Sequence, residues 1–237
     1  MARLLEIRGL EKQFLLHILN GKRIAALHSI DCDIEEGEIL GLTGKSGSGK
    51  STLMKCLYRT YLPTAGQILY HSASLGPVDL ARADEHTIIH LRRTEITYCS
   101  QFLQVIPRVP ALDVVAEPMI RRGADREVAL GRAREAFERL GLPMELWDAF
   151  PATFSGGEQQ RINIARAVIS GPRFLLLDEP TASLDAKTKD AVIDMILELR
   201  QSGCSIALIS HDAHTMQRLA SRRLHLAEGR MEEAVHA

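Results

Sequence analysis

The chain has 237 residues, with 29 Lys and Arg against 30 Asp and Glu, and a formal net charge of −1. Hydrophobic residues make up 46 % and charged residues 25 %, the balance of an ordinary globular protein long enough for one large domain or two small ones. That charge argues against retention on nucleic acid or anionic lipid by bulk electrostatics, and no apolar run reaches the ~20 residues that span a bilayer, which excludes a channel or permease.

The N-terminus meets Glu6 and Arg8 too early for the apolar core of a signal peptide, so a cytoplasmic location is expected. Ile30, Cys32 and Ile34 alternate with Asp31, Asp33 and Glu35, the period-two pattern of a half-exposed strand. Ile39–Thr43 reads as a buried strand, followed by a helix over Lys50–Leu62 that stops at Pro63. Gln67–Tyr70 and Val78–Leu80, joined through Gly76-Pro77, predict a hairpin. From 102 to 172 the character is helical, and Asp125–Leu140 places Val128, Ala133, Ala136, Phe137 and Leu140 on roughly one face. Phe174–Asp178 and Ser205–Ser210 are two further buried strands, with a helix over Ala186–Ser202 between them that ends before Gly203. Buried strands that feed helices give the βα rhythm of an α/β fold. The expected organisation is one domain over 1–237. Residues 1–101 and 173–237 build a parallel-sheet core with a small antiparallel β layer, and 102–172 form an inserted α-helical subdomain.

Cys32, Cys56, Cys99 and Cys204 contain no CxxC pair, so no zinc ribbon or local iron–sulfur cassette is written here. They read as small core residues in a reducing cytosol. His86 and His90 have i,i+4 spacing but no third ligand nearby, and His214 and the pair Arg92-Arg93 read as solvated surface.

Three motifs carry chemistry. Gly44-Lys45-Ser46-Gly47-Ser48-Gly49-Lys50-Ser51 fits GxxxxGK[ST] after a buried strand and at the opening of a helix, with Thr52 next in that helix. Its glycines let backbone N–H groups curl around phosphate oxygens, and the helix N-terminus adds partial positive charge. Lys50 can reach the β- and γ-phosphates, and the Ser51 hydroxyl can ligate Mg²⁺. In Phe174-Leu175-Leu176-Leu177-Asp178-Glu179, two carboxylates stand at the carboxyl edge of a strand, where α/β sites lie. Asp178 can hold Mg²⁺ through water, and Glu179 can orient and deprotonate an attacking water. Ser155-x-x-Glu158 is a capping box that opens a helix running through Ile169. Two readings stand here: a well-capped helix with a flexible entry, or a second anion site made of a hydroxyl, two glycine N–H groups and a helix N-terminus.

The run Phe154-Ser155-Gly156-Gly157-Glu158-Gln159-Gln160-Arg161 resembles the LSGGQ signature of ATP-binding-cassette (ABC) ATPases, with Phe154 and Glu158 as variants. Other elements of that family follow in order: Gln101 matches its Q-loop glutamine, Ser183-Leu184-Asp185 its D-loop, and His211 its switch histidine. Phe14 fits the aromatic residue that stacks on adenine. The resemblance implies a P-loop NTPase fold and a composite site for ATP and Mg²⁺. In it the P-loop of one chain faces Ser155, Gly156, Gly157 and Glu158 of a second. The expected working unit is therefore a pair of cassettes, most simply a homodimer. Glu179, His211, Lys50 and Asp185 are the expected catalytic set, and Ser51, Gln101 and Asp178 the metal set. His211 would contact the γ-phosphate and Asp185 would couple the two sites.

Three stretches are similar to the PhnL-type subunits of the phosphonate carbon–phosphorus lyase system. They are Leu57-Tyr58-Arg59-Thr60-Tyr61-Leu62-Pro63, the segment from Gln101-Phe102-Leu103-Gln104-Val105-Ile106 through Pro107-Arg108-Val109-Pro110-Ala111-Leu112-Asp113-Val114-Val115, and Phe154–Arg161 with Asn163-Ile164-Ala165-Arg166. That likeness implies a non-transporter ATPase that drives conformational change in the lyase core complex, with Phe102 and Arg108 on its docking surface. Carbon–phosphorus cleavage itself needs an iron–sulfur cluster that these dispersed cysteines do not suggest. The alternative is the ATP-binding subunit of a transporter of the lipoprotein-release or macrolide-export type, with a membrane permease as partner. A DNA-repair or translation cassette is disfavoured by the single P-loop, the missing coiled coil and the lack of basic excess.

Overall fold

The computed structural model describes residues 2–16, 22–103 and 107–232. The chain opens with two long strands, β1 (Arg3–Leu16) and β2 (Lys22–Glu35), then β3 (Ile39–Thr43) and helix α1 (Lys50–Leu57). Strands β4 (Ala65–Ser72) and β5 (Gly76–Asp79) precede α2 (Glu85–Thr94) and β6 (Ile96–Cys99). Three helices come next: α3 (Ala111–Arg121), α4 (Arg126–Arg139) and α5 (Gly156–Ile169). The chain continues with β7 (Phe174–Asp178), α6 (Ala186–Gln201), β8 (Ser205–Ile209), α7 (Ala213–Leu219), β9 (Arg222–Ala227) and β10 (Arg230–Glu232).

Two sheets result. One is antiparallel in the order β2-β1-β4-β5; the other runs β10-β9-β3-β8-β7-β6 and is parallel except for β10. Strand β7 shows why its sequence is apolar throughout: Leu175 and Leu177 join a core with α3–α7, whereas Phe174 and Leu176 join one with β1, α1 and α2. Alternate residues point to opposite faces, and both faces are covered. Gly41 in β3 lets α7 approach, since a Cβ there would lie 2.7 Å from Met216 Cε.

The buried strands and the helices α5 and α6 stand where the sequence places them. Three expectations need correction. The β4–β5 hairpin forms, but it turns at residues 73–75, and Gly76 and Pro77 lie in β5 opposite Ser72 and His71, where an edge strand tolerates a proline. Helix α1 ends at Leu57, not Leu62. Beyond it the backbone is held from elsewhere: Arg92 donates to Tyr58 O (2.8 and 3.0 Å), and Arg59, at φ 65°, donates to Leu80 O (2.6 Å). In α4, Val128 is 56 % exposed, and the buried face is Ala129, Leu130, Ala133, Ala136 and Phe137. All four cysteines are free and buried, and burial pushes their thiols up to about 11 for Cys56 and about 12 for Cys32, Cys99 and Cys204. They pack as small apolar groups.

One buried carboxylate ties the two sheets together. Glu95, at the end of α2, accepts hydrogen bonds from Tyr70 Oη (2.9 Å), Ser72 Oγ (2.6 Å) and Ser74 Oγ (2.8 Å), and from the Ala73 and Ser74 N–H groups (3.1 and 3.2 Å). Burial alone would raise its pKa, but these donors outweigh it and hold the carboxyl at about 2 against an ordinary 4.5. A depressed pKa means stability that is complete above the ordinary value and lost as pH falls toward the folded one. Glu95→Gln should therefore be less stable than wild type by about 3 kcal/mol at neutral pH, with the gap closing as pH drops from about 5 toward 2. Denaturant unfolding across that range checks this, and a pH-independent gap would remove the carboxylate from the role.

Candidate nucleotide site

The loop between β3 and α1 is shaped by glycines that no other residue can replace without displacement. Gly44 has φ 136°, and a Cβ on it would sit 2.1 Å from Leu226 O; Gly49 has φ 109°, and its Cβ would sit 2.6 Å from Ala26 O. Between them Lys45, Ser46 and Gly47 are exposed at the crest, Gly47 with φ 79°. The loop curls around its own lysine: Lys50 Nζ donates to Gly44 O (2.7 Å) and Lys45 O (2.9 Å). Lys50 is 6 % exposed, and burial lowers its pKa against the opposing charges of Glu179 and Asp178. Ser48 Oγ is buried and has no hydrogen-bond partner among the described residues. Ser51 is exposed and Thr52 half-buried in the first turn of α1.

Two carboxylates face this loop from the end of β7. Asp178 is 5 % exposed and accepts from Tyr98 Oη at 3.2 Å. Glu179 has φ 55°, with its N–H donated to Ile209 O (2.9 Å). Its Oε2 accepts from the His211 N–H (3.3 Å), and His211 Nε2 stands 3.6 Å from Oε1. Oε1 itself is buried and accepts no hydrogen bond among the described residues. Burial raises the Glu179 pKa and Asp178 adds to the rise, while His211 and Lys50 oppose it. A carboxylate so placed is the better proton acceptor near neutral pH.

Ser51, Gln101 and Asp178 line one cavity of about 780 Å³. The fold thus gathers the expected metal set from α1, the segment after β6, and β7. A hydroxyl, an amide oxygen and a carboxylate are the hard oxygen donors that suit Mg²⁺. With the glycine-shaped loop and the unpartnered Ser48 Oγ and Glu179 Oε1, these residues fit a nucleoside triphosphate and its cation. Mg²⁺, when bound, would draw charge from the phosphate oxygens.

Ser155 caps α5 as expected. The Glu158 N–H donates to Ser155 Oγ (3.4 Å), and Glu158 Oε2 accepts from both the N–H and the Oγ of Ser155 (2.8 Å each). The carboxylate at 158 is thus engaged in closing the cap. Gly156 is exposed and Gly157 half-buried, and a Cβ on Gly157 would meet Ser183 O at 3.2 Å. Gly156 and Ser183 line a second, smaller cavity, and Gln101, Phe102 and Leu103 border both. Asp185 caps α6 by accepting from Thr188 N–H (3.0 Å) and Oγ1 (2.7 Å), and it lies 3.3 Å from Arg161 Nη2 on α5. Those hydrogen bonds from Thr188 lower its pKa. Phe14 lies on β1 with its ring edge-on to Tyr61 at 5.2 Å, so it flanks the chain just beyond α1. Of the segment after Gln101, residues 104–106 lie outside the described residues; Phe102 is 75 % exposed and Arg108 has φ 60°.

Sequence reasoning missed two residues here. Tyr98 stands on β6, a four-residue strand too short to register as a pattern. Gln160 is 4 % exposed inside α5 and donates through Nε2 to Glu179 O (3.2 Å) and Pro180 O (3.0 Å).

Residues 27–182 match the ABC transporter family. This chain belongs to that family. It is 37 % identical over 232 residues to the lipoprotein-releasing system ATP-binding protein LolD of Myxococcus xanthus, covering 98 % of this chain and 99 % of that one. The macrolide export ATP-binding/permease protein MacB of Wolinella succinogenes is 36 % identical over 228 residues, which are 96 % of this chain but 34 % of MacB. Among solved structures, the dimeric ATP-binding cassette MJ0796 in a post-hydrolysis state with ADP and Pi matches with a TM-score of 0.86 and 29 % identity, over 97 % of each chain. A second dimeric MJ0796 structure matches with a TM-score of 0.87, 27 % identity and the same coverage. The fold is that of an ABC cassette. Among the described residues no helix is long and apolar enough to cross a membrane.

Proposed function

We propose that this cassette works in pairs, binding ATP and Mg²⁺ between the P-loop of one copy and Ser155, Gly156 and Gly157 of another. Hydrolysis then converts ATP and water to ADP and phosphate. The observation that carries this reading is the buried, unpartnered Oε1 of Glu179, 3.6 Å from His211 Nε2 and facing the glycine-shaped loop that holds Lys50. Glu179 orients a water and takes its proton as the water attacks the γ-phosphate. Lys50, whose ammonium now rests on two loop carbonyls, exchanges them for phosphate oxygens. His211 holds the γ-phosphate, Phe14 stacks on the base, and Asp185 links the two sites. Closure around ATP does work on a partner only because ATP binds the closed pair better than the open one.

The partner we propose is a membrane permease, with lipoprotein release or macrolide export as the work done; the relatives named above, which are transporter ATPases, support it. A second reading makes the partner the carbon–phosphorus lyase core, with the cassette cytoplasmic and unattached to a permease. It rests on the likeness of the segments at 57–63, 101–115 and 154–166 to the subunits of the phosphonate system. Exposed Phe102 in the second of these is the contact either partner would meet.

Growth tests the choice. A host that uses methylphosphonate through the lyase should grow on it equally well without this gene, which would overturn the lyase reading. Failure on methylphosphonate as sole phosphorus source, with normal growth on phosphate and recovery by wild type but not by Glu179→Gln, would overturn the permease reading instead.

A further inference from the structure

The inner face of α5 grips two backbone stretches, one carrying Glu179 and the other leading into Gln101. Gln160 and Asn163 are three apart on one helix and lie on the same side. Gln160 Nε2 donates to the carbonyls of Glu179 (3.2 Å) and Pro180 (3.0 Å), and Asn163 Nδ2 donates to Ser100 O (2.6 Å), the residue before Gln101. Both side chains are buried, 4 % and 7 % exposed. The N-terminus of the same helix carries Ser155, Gly156 and Gly157.

Glu179 needs such a hold. Its φ of 55° lies in the left-handed region that a residue with a side chain enters only when its surroundings over-determine it. The N–H side is fixed by Ile209 O at 2.9 Å, and the carbonyl side is fixed by Gln160. A primary amide has two N–H donors, and here both lone-pair targets are consecutive carbonyls at the strained residue.

We propose that Gln160 is a positioning residue for hydrolysis: it locks the Glu179 backbone in the conformation that aims the carboxylate, and so ties the general base to the seat of the signature helix. A shift of α5 on docking against a second cassette would move Glu179 with it. The inference rests on Glu179 being the general base.

Gln160→Met keeps the length and volume and removes the donor. It should lower kcat by roughly 10–100-fold, the cost of an ångström-scale misplacement, with the KM for ATP within about twofold of wild type. In a Glu179→Gln background it should cost nothing further, because the group it aims is already gone. Unchanged kcat, or the same loss in both backgrounds, would overturn the proposal. Should Glu179→Gln alone leave turnover intact, the general-base reading would fail, which is a separate result. Gln160→Leu serves where the Met variant folds poorly, since it also fills the space without donating. Its kcat should fall by a similar factor, and the loss should likewise vanish in the Glu179→Gln background. Wild-type kcat in that variant would count against Gln160 in the same way.

Discussion

Glu179→Gln should leave ATP binding intact, lower turnover by roughly 10²–10⁴-fold, and cause the ATP-bound pair of cassettes to accumulate. The argument starts from what the substitution preserves. Gln has the shape of Glu, its amide oxygen can still accept the His211 N–H, and the backbone contact to Ile209 is untouched. What disappears is the ability to take a proton. Burial raises the Glu179 pKa from the ordinary 4.5 and Asp178 beside it raises it further, which suits the carboxylate to such a transfer. The rise also fixes the sign of the pH profile. A raised carboxyl pKa means that the base is protonated, and turnover lost, at a higher pH than an exposed glutamate would require. The acid limb of kcat should therefore lie above the ordinary carboxylate range in wild type and vanish in Glu179→Gln. Single-turnover hydrolysis across pH, with gel filtration in ATP to detect the trapped pair, checks both statements. Equal rates for the two proteins would remove Glu179 from its role.

What could be seen in the sequence divides along a physical line. Local patterns were legible: the P-loop glycines, the step from apolar strand to Asp178 and Glu179, and the capping box at Ser155 each depend on residues a few positions apart. The three buried strands were legible because covering both faces of a parallel sheet leaves an unbroken apolar run. Strands β1, β6 and β9 were not. β1 pairs through several register shifts, β6 has four residues, and β9 carries Arg222, Arg223 and His225, so none shows a clean period. The early end of α1 was hidden for a different reason, since Arg59 and Arg92 reach across the fold to take up the backbone beyond it. Tyr98 and Gln160 acquire their meaning from tertiary contact alone, and a polar residue within a helix reads as surface until its burial is known. The partner is harder still. The ATP site is what cassettes share, so its geometry is silent about the work done.

Lys50→Met should weaken ATP binding by about 100-fold or more while leaving the unfolding temperature within a few degrees of wild type. The two halves have different origins. A phosphate held by an ammonium gains a charge-assisted hydrogen bond worth about 1.5–3 kcal/mol in ordinary settings, and a buried lysine facing several anionic oxygens stands at the upper end of that range. Stability behaves otherwise. Lys50 is 6 % exposed, and its lowered pKa shows that burial disfavours the charge even with Glu179 and Asp178 nearby. The desolvation relieved by Met offsets the loss of the bonds to Gly44 O and Lys45 O. Those carbonyls lie in a loop whose crest is exposed, so water can replace the ammonium there. Lys50→Arg should rescue poorly, because a guanidinium is wider than the single ammonium nitrogen held 2.7 and 2.9 Å from two loop carbonyls. Equilibrium binding of a fluorescent ATP analogue, set beside thermal unfolding of the same samples, separates the two effects. Wild-type affinity in Lys50→Met would show that the loop, and not its lysine, holds the phosphates, and a loss of affinity that follows a loss of fold would overturn the stability half.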